Sequence, residues 1–153
     1  MNYIWGMAIA IVYLFGPGMD RDFLHPKGKC PFKGGVIRKL TQPKGIIIGT
    51  EESTVDISGN DSIVLSAADG RVMEVIGLQY TSYLTIKVDT TIYTYIDIDR
   101  PLVQEGQVVK AGQEIAIARG KRIAFFVSNY HNKIFRNPDA YVDCTCELIK
   151  LTQ

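Results

Sequence analysis

Histidine is the scarcest chemistry-bearing residue in the chain: 153 residues hold two, His25 and His131. A mechanism that needs several imidazoles is short of parts on that count alone. Cysteine is nearly as scarce. Cys30, Cys144 and Cys146 are an odd number and too few for a disulfide scaffold. Cys144-Thr145-Cys146 is not a CxxC redox motif and reads as a plain pair of thiols rather than a metal site. Neither sign of charge prevails, since 17 Lys and Arg against 16 Asp and Glu leave a net charge of +1. A dedicated nucleic-acid binder carries a basic excess or stripe, so no nucleic acid is expected as partner. No long helical period and no repeat of solenoid length runs through the chain. With 46% hydrophobic and 22% charged residues the composition is that of a globular chain, long enough for one domain.

What is present begins with an apolar stretch. Residues 1–19 (MNYIWGMAIAIVYLFGPGM) carry no charged side chain, and the densest part runs from Tyr3 to Phe15. A spanning helix needs about 20 apolar residues, and Gly16-Pro17-Gly18 would stop a helix there. The length suits the apolar part of a signal peptide, yet no Lys or Arg precedes it. Arg21, Lys27, Lys29 and Lys33 follow, and by the positive-inside rule they would hold the next segment in the cytoplasm. The stretch is either an anchor or export signal, or an apolar arm packed on the domain or on a partner. Residues 20–44, rich in Gly, Pro and Lys, read as an irregular connecting arm.

Over residues 45–148 the pattern is all-β. Short apolar or alternating runs are separated by turn residues, at Ile46–Gly49, Ser62–Ser66, Gly70–Ile76, Tyr83–Asp89, Thr91–Ile98, Glu114–Ala118, Arg122–Val127 and Tyr141–Leu148. Asp69-Gly70 and Asp89-Thr90 sit where hairpin turns are expected. One stretch is more specific: Val103, Gly106, Val109, Gly112 and Ile115 recur at intervals of three. Its physical meaning is a pair of tight turns around a short extended piece, with the glycines at positive φ and the aliphatic residues in a small core.

Taken in order, Ser66-Ala-Ala-Asp-Gly-Arg-Val72, Tyr93-Thr-Tyr-Ile96, the Val103–Ile115 stretch, Arg122-Ile-Ala-Phe-Phe-Val127 and Asn137-Pro138 resemble the lysostaphin/LytM-type zinc peptidases of bacterial peptidoglycan. The resemblance covers about residues 45–142. It implies an antiparallel barrel-sandwich hybrid, of the duplicated-hybrid-motif type, with a groove floored by the sheet.

The family's chemistry would need zinc held by the His and Asp of H-x-G-x-D and the second His of H-x-H, leaving an open position for an activated water. Here the H-x-H slot reads Arg122-Ile123-Ala124 and the Y-x-H slot reads Tyr93-Thr94-Tyr95. An alanine cannot ligate, and a guanidinium offers only donors. The first motif has two registers. One puts Glu52 in the His slot and keeps Asp56, and the other, after Pro43, loses both ligands; spacing to Asp69-Gly70 favours the first. The expected vestigial ligand slots are therefore Glu52, Asp56 and Ala124. No cofactor, metal or catalytic residue is expected.

The resemblance then points to a catalytically inactive domain that binds, scaffolds or regulates, linked to the cell envelope or a membrane assembly. Tyr93, Tyr95, Arg122 and Phe126 would group near the old site and take a protein or peptidoglycan partner, with the membrane touched through residues 1–19. The alternatives are an active zinc endopeptidase with non-standard ligands, or a barrel-sandwich subunit unrelated to cell wall.

Overall fold

A computed structural model of the chain describes residues 27–41, 54–77, 82–132 and 135–150. Fourteen strands run through them in the order β1 (Gly28–Lys29), β2 (Val36–Thr41), β3 (Thr54–Ser58), β4 (Ile63–Leu65), β5 (Gly70–Gly77), β6 (Ser82–Val88) and β7 (Thr91–Ile96). Then come β8 (Ile98–Pro101), β9 (Val108–Val109), β10 (Glu114–Ala118), β11 (Arg122–Asn129), β12 (Phe135–Arg136), β13 (Val142–Asp143) and β14 (Thr145–Lys150). Among the described residues there is no α-helix, and a single 3₁₀ turn at Pro138–Ala140 starts on Asn137, whose side chain accepts the Asp139 N–H. No helix of the described residues is long and apolar enough to cross a membrane.

The large sheet runs β14-β2-β3-β11-β7-β6-β5-β9, with β12 paired to β11; a second sheet runs β4-β10-β8 and a third pairs β1 with β13. Ile123, Phe125 and Val127 of β11, Tyr95 of β7 and Leu84 and Ile86 of β6 face inward and are buried with Val64, Ile115 and Ala116 of the second sheet. Each fully buried side chain of Phe125's class contributes about 1.5–3 kcal/mol of apolar burial. The all-β expectation holds. The sheets do not close into a barrel, and the pairing is mixed: β1–β13 and β2–β14 are parallel because the two ends of the chain run side by side.

The glycine-spaced stretch folds as two copies of one turn. Gln107 N–H bonds Gln104 O and Gln113 N–H bonds Lys110 O, while Gly106 and Gly112 hold the third position at φ 83° and 82°. In both, the closing glutamine's Oε1 also accepts the N–H of the opening residue. A positive φ there is the type II requirement that glycine meets without strain. Val103, Val109 and Ile115 are buried beside the turns.

Four expectations need correction. Thr91–Ile98 is not one strand, because Asp97 takes a φ of 70° and sends Ile98 onward into the second sheet. Asp69-Gly70 is not a hairpin turn but the crossing from β4 to β5, in different sheets. Residues 27–41 of the supposed irregular arm are built into the fold: Phe32 and Ile37 are buried, and β2 fills the place between β3 and β14. Gly28 passes so close to Ala67 that a Cβ there would lie 2.3 Å from its carbonyl oxygen. Gly, Pro and Lys mask a strand whose partners are mostly non-local. Finally, Cys144 is not a free thiol beside Cys146: it is bonded to Cys30, and Cys146 alone is free and exposed. Residues 1–26, His25 among them, and the expected strand Ile46–Gly49 lie outside the described residues.

Candidate functional site

A strand alternates faces, so one rung of a sheet gathers the residues that share a face. On the outer face of the large sheet one rung reads Tyr83 of β6, Ile96 of β7, Ala124 of β11, Asp56 of β3, Arg38 of β2 and Glu147 of β14, each opposite the next. Tyr83, Ile96 and Ala124 are half-buried, whereas Asp56, Arg38 and Glu147 are exposed. The rung is apolar over β6, β7 and β11 and charged over β3, β2 and β14.

Asp56 therefore stands between a methyl group and a guanidinium. Directly opposed residues have Cβ atoms about 4.5–5.5 Å apart. On its other side, Arg38 Nε lies 4.0 Å from Glu147 Oε2, with both side chains more than half exposed. An ion pair that open contributes about 0–1 kcal/mol and orders little.

Arg122 lies one rung away, opposite Ser58, and is exposed. Among the described residues no ion pair joins Arg122 to Asp56. Phe126, two residues beyond Ala124, is half-buried on the outer face, opposite Thr54 and Thr94. Thr94 and Thr85 form the next pair along that rung and are buried. Glu52 lies outside the described residues.

Tyr93 and Tyr95 are on the other face. Tyr95 is fully buried, 5.2 Å from Phe125 ring to ring, and its hydroxyl accepts the Ala67 N–H at 2.9 Å. Burial pushes its phenol well above the ordinary tyrosine range. Tyr93 packs between Phe125 and Tyr141, with centroids 6.3 Å from each, and burial raises its phenol too. The expected grouping of Tyr93, Tyr95, Arg122 and Phe126 thus separates into a core pair and an outer pair. In their place Tyr83 and Ile96 share the outer rung with Ala124. The signal was available: a two-residue turn at Asp89-Thr90 pairs Val88 with Thr91, and counting back puts Tyr83 opposite Ile96.

The zinc that the resemblance implies can be tested against this rung. Three ligands are needed, and the described residues of the rung present two carboxylates, Asp56 and Glu147, kept apart by Arg38 between them, and no imidazole or thiol. Among the described residues no cluster of three His, Cys, Asp or Glu could hold a metal ion. The described residues do not fit zinc. His131 is in an exposed turn after β11, where Asn129 Oδ1 accepts its N–H at 2.9 Å, and it takes no part in the rung.

The family model described as "Peptidase family M23" matches residues 50–134, more than half of the 153. No curated protein matches the sequence. Among solved structures, the catalytic domain of the prophage-encoded M23 protein EnpA from Enterococcus faecalis is 21% identical, with a TM-score of 0.54, over 69% of this chain and 89% of that one. The catalytic domain of the antimicrobial peptidase lysostaphin from Staphylococcus simulans is 20% identical, with a TM-score of 0.51, over 74% and 87%. A chain of the SpoIIQ–SpoIIIAH pore-forming complex is 15% identical, with a TM-score of 0.59, over 76% and 91%. At these identities the likeness is one of fold.

Proposed function

Since the chain belongs to peptidase family M23, we propose that it keeps the family's fold and groove but binds there rather than cuts. The observation that carries this reading is the Asp56–Ala124 pair: the ligand slot on β11 holds a methyl group opposite the carboxylate on β3. Binding needs the shape of the groove, whereas hydrolysis needs a metal with an open position.

The occupant is an extended segment of a protein partner. Its apolar side chains lie on Tyr83, Ile96 and Phe126, and its polar end meets Asp56, Arg38 and Arg122. Aromatic and arginine residues are the commonest anchors at such interfaces. The SpoIIQ–SpoIIIAH complex supports the reading, because a chain of this fold takes part there in an assembly with another protein. Residues 1–19 tether the domain to the cell envelope.

Metal analysis and pull-down test this. The purified chain is expected to hold no stoichiometric zinc, to leave peptidoglycan cross-bridges intact, and to capture a membrane-fraction protein through a contact weakened by Phe126→Ala or Arg122→Ala. One tightly bound zinc per chain with cross-bridge hydrolysis overturns it. Capture of peptidoglycan in place of protein overturns the choice of partner.

A further inference from the structure

The family match covers residues 50–134 and leaves out two pieces of chain that the fold joins to it and to each other. β1 and β2 precede the matched residues, β13 and β14 follow them, and these four strands pair with one another. Gly28 is opposite Val142, and Val36–Thr41 runs parallel to Thr145–Lys150 over six register pairs. Cys30 and Cys144 join the two halves covalently, 114 residues apart in sequence. Among the described residues three register pairs attach β2 to β3: Val36 with Ser58, Ile37 with Ile57, and Arg38 with Asp56. Whatever holds these strands together therefore also sets the register that puts Arg38 opposite Asp56.

We propose that the Cys30–Cys144 bond is a redox lock on this terminal clasp, closed in an oxidising compartment outside the cytoplasm, and that its reduction loosens β2 from its place beside β3 and Asp56. Three arguments converge. Structural disulfides form and persist where the surroundings are oxidising and are rare in the cytosol. The bond spans nearly the whole domain, so it constrains the two chain ends more than any local contact does. Both cysteines are half-buried at the rim of the core, within reach of a protein reductant at the surface. The inference opposes the topology that Arg21, Lys27, Lys29 and Lys33 imply through the positive-inside rule. It stands whether the groove binds or cuts.

The chemistry balances as thiol–disulfide exchange. In closing, the thiols of Cys30 and Cys144 pass two electrons and two protons to a disulfide-bearing protein oxidant, which leaves as its dithiol. In opening, a thiolate of a reduced dithiol attacks one sulfur and expels the other as thiolate; the second thiol of the reductant then releases the mixed disulfide. Cys146 is exposed and unbonded, and serves as an internal standard.

Two measurements on the full chain test the proposal. Alkylation in intact cells with a mass-tagged maleimide is expected to label one cysteine per chain, and all three after denaturation and reduction. Hydrogen exchange on the purified protein is expected to speed up at least tenfold in β1, β2, β13 and β14 when a dithiol reductant is added, with β6, β7 and β11 unchanged. The double variant Cys30→Ser, Cys144→Ser should show the same exchange pattern without reductant. Three labelled cysteines before reduction overturn the proposal. So does a reduced protein in which β2 and β14 stay protected, or one in which protection is lost throughout the sheet.

Discussion

Asp56 and Ala124 face each other across the β3–β11 ladder, on the side of the sheet away from the core. The pair puts a carboxylate and a side chain of one carbon at the separation of direct cross-strand neighbours, about 4.5–5.5 Å between Cβ atoms. Behind the pair, Ile123, Phe125 and Val127 fill the inner face of β11 without exposure.

That separation makes a gain-of-function experiment direct. Ala124→His, combined with Arg122→His, places two imidazoles on the outer face of β11, one of them opposite Asp56. Zinc affinity measured by calorimetry is expected to rise about tenfold or more over the unaltered chain, ~1.4 kcal/mol per tenfold. Adding Asp56→Ala should remove the gain. If the imidazoles bind zinc equally well without Asp56, the two strands do not share a site.

The parts of this fold that were legible in sequence are those whose signal is local. Asp89-Thr90 between two alternating runs fixed the β6–β7 hairpin and its register. The glycines at 106 and 112 marked both type II turns, because their φ is demanded by the turn and by nothing distant. What could not be read is non-local. β2 pairs in parallel with β14, near the other end of the chain, and its six residues lie among Gly, Pro and Lys. The disulfide likewise depends on two ends meeting, so counting cysteines missed it. Motif order places Tyr93 and Tyr95 in the groove, whereas their register opposite the inward Val127 and Phe125 turns both into the core.

Tyr95 carries a structural load that follows from its burial. Its hydroxyl is the acceptor for the buried Ala67 N–H, which Tyr95→Phe would leave unsatisfied. Losing that partner should cost about 1–3 kcal/mol in urea unfolding, with the denaturant slope unchanged. The same burial raises the phenol's pKa above its ordinary value of 10.0, so the folded state keeps the proton longer than the unfolded chain. Its contribution is full below about pH 10 and is lost as pH rises toward the raised folded value. Alkaline unfolding should therefore be shallower above pH 10 in Tyr95→Phe than in the unaltered protein. Parallel alkaline limbs would show that Tyr95 does not report the transition.

Gly106 and Gly112 offer a matched pair. Both sit at φ above 80°, where an L side chain is strained whatever the space around it. A Cβ at Gly106 would meet nothing within 4 Å, while one at Gly112 would approach the end of the flexible Lys29 side chain at 3.0 Å. Backbone strain is common to both and the contact is easily relieved, so Gly106→Ala and Gly112→Ala should each cost about 1–2 kcal/mol by thermal or urea unfolding. A markedly larger loss at Gly112 would mean that Lys29 is held in place and that the packing of the clasp reaches this turn.

The acid limb of stability is expected to depend on Asp69. Its Oδ1 accepts the Ala111 N–H at 2.8 Å and its Oδ2 meets Lys110 Nζ at 3.0 Å, tying the crossing from β4 to β5 onto the second type II turn. The backbone N–H of Ala111 and then Lys110 lower its pKa from the ordinary 3.8. A carboxyl depressed in the folded state adds stability above its unfolded pKa and loses it as pH falls through the folded one. The contribution should be complete above about pH 4 and fade below that. Asp69→Asn keeps an acceptor for Ala111 but has no charge to titrate. Its unfolding midpoint should lie below that of the unaltered protein at pH 6, and the gap should narrow steadily between pH 4 and pH 2. The site is open to solvent, so 1 M salt should shrink the Lys110 share of the gap and leave the Ala111 share. A gap that stays constant from pH 6 to pH 2 would assign the whole effect to the shape of the turn and none to the ionised carboxylate.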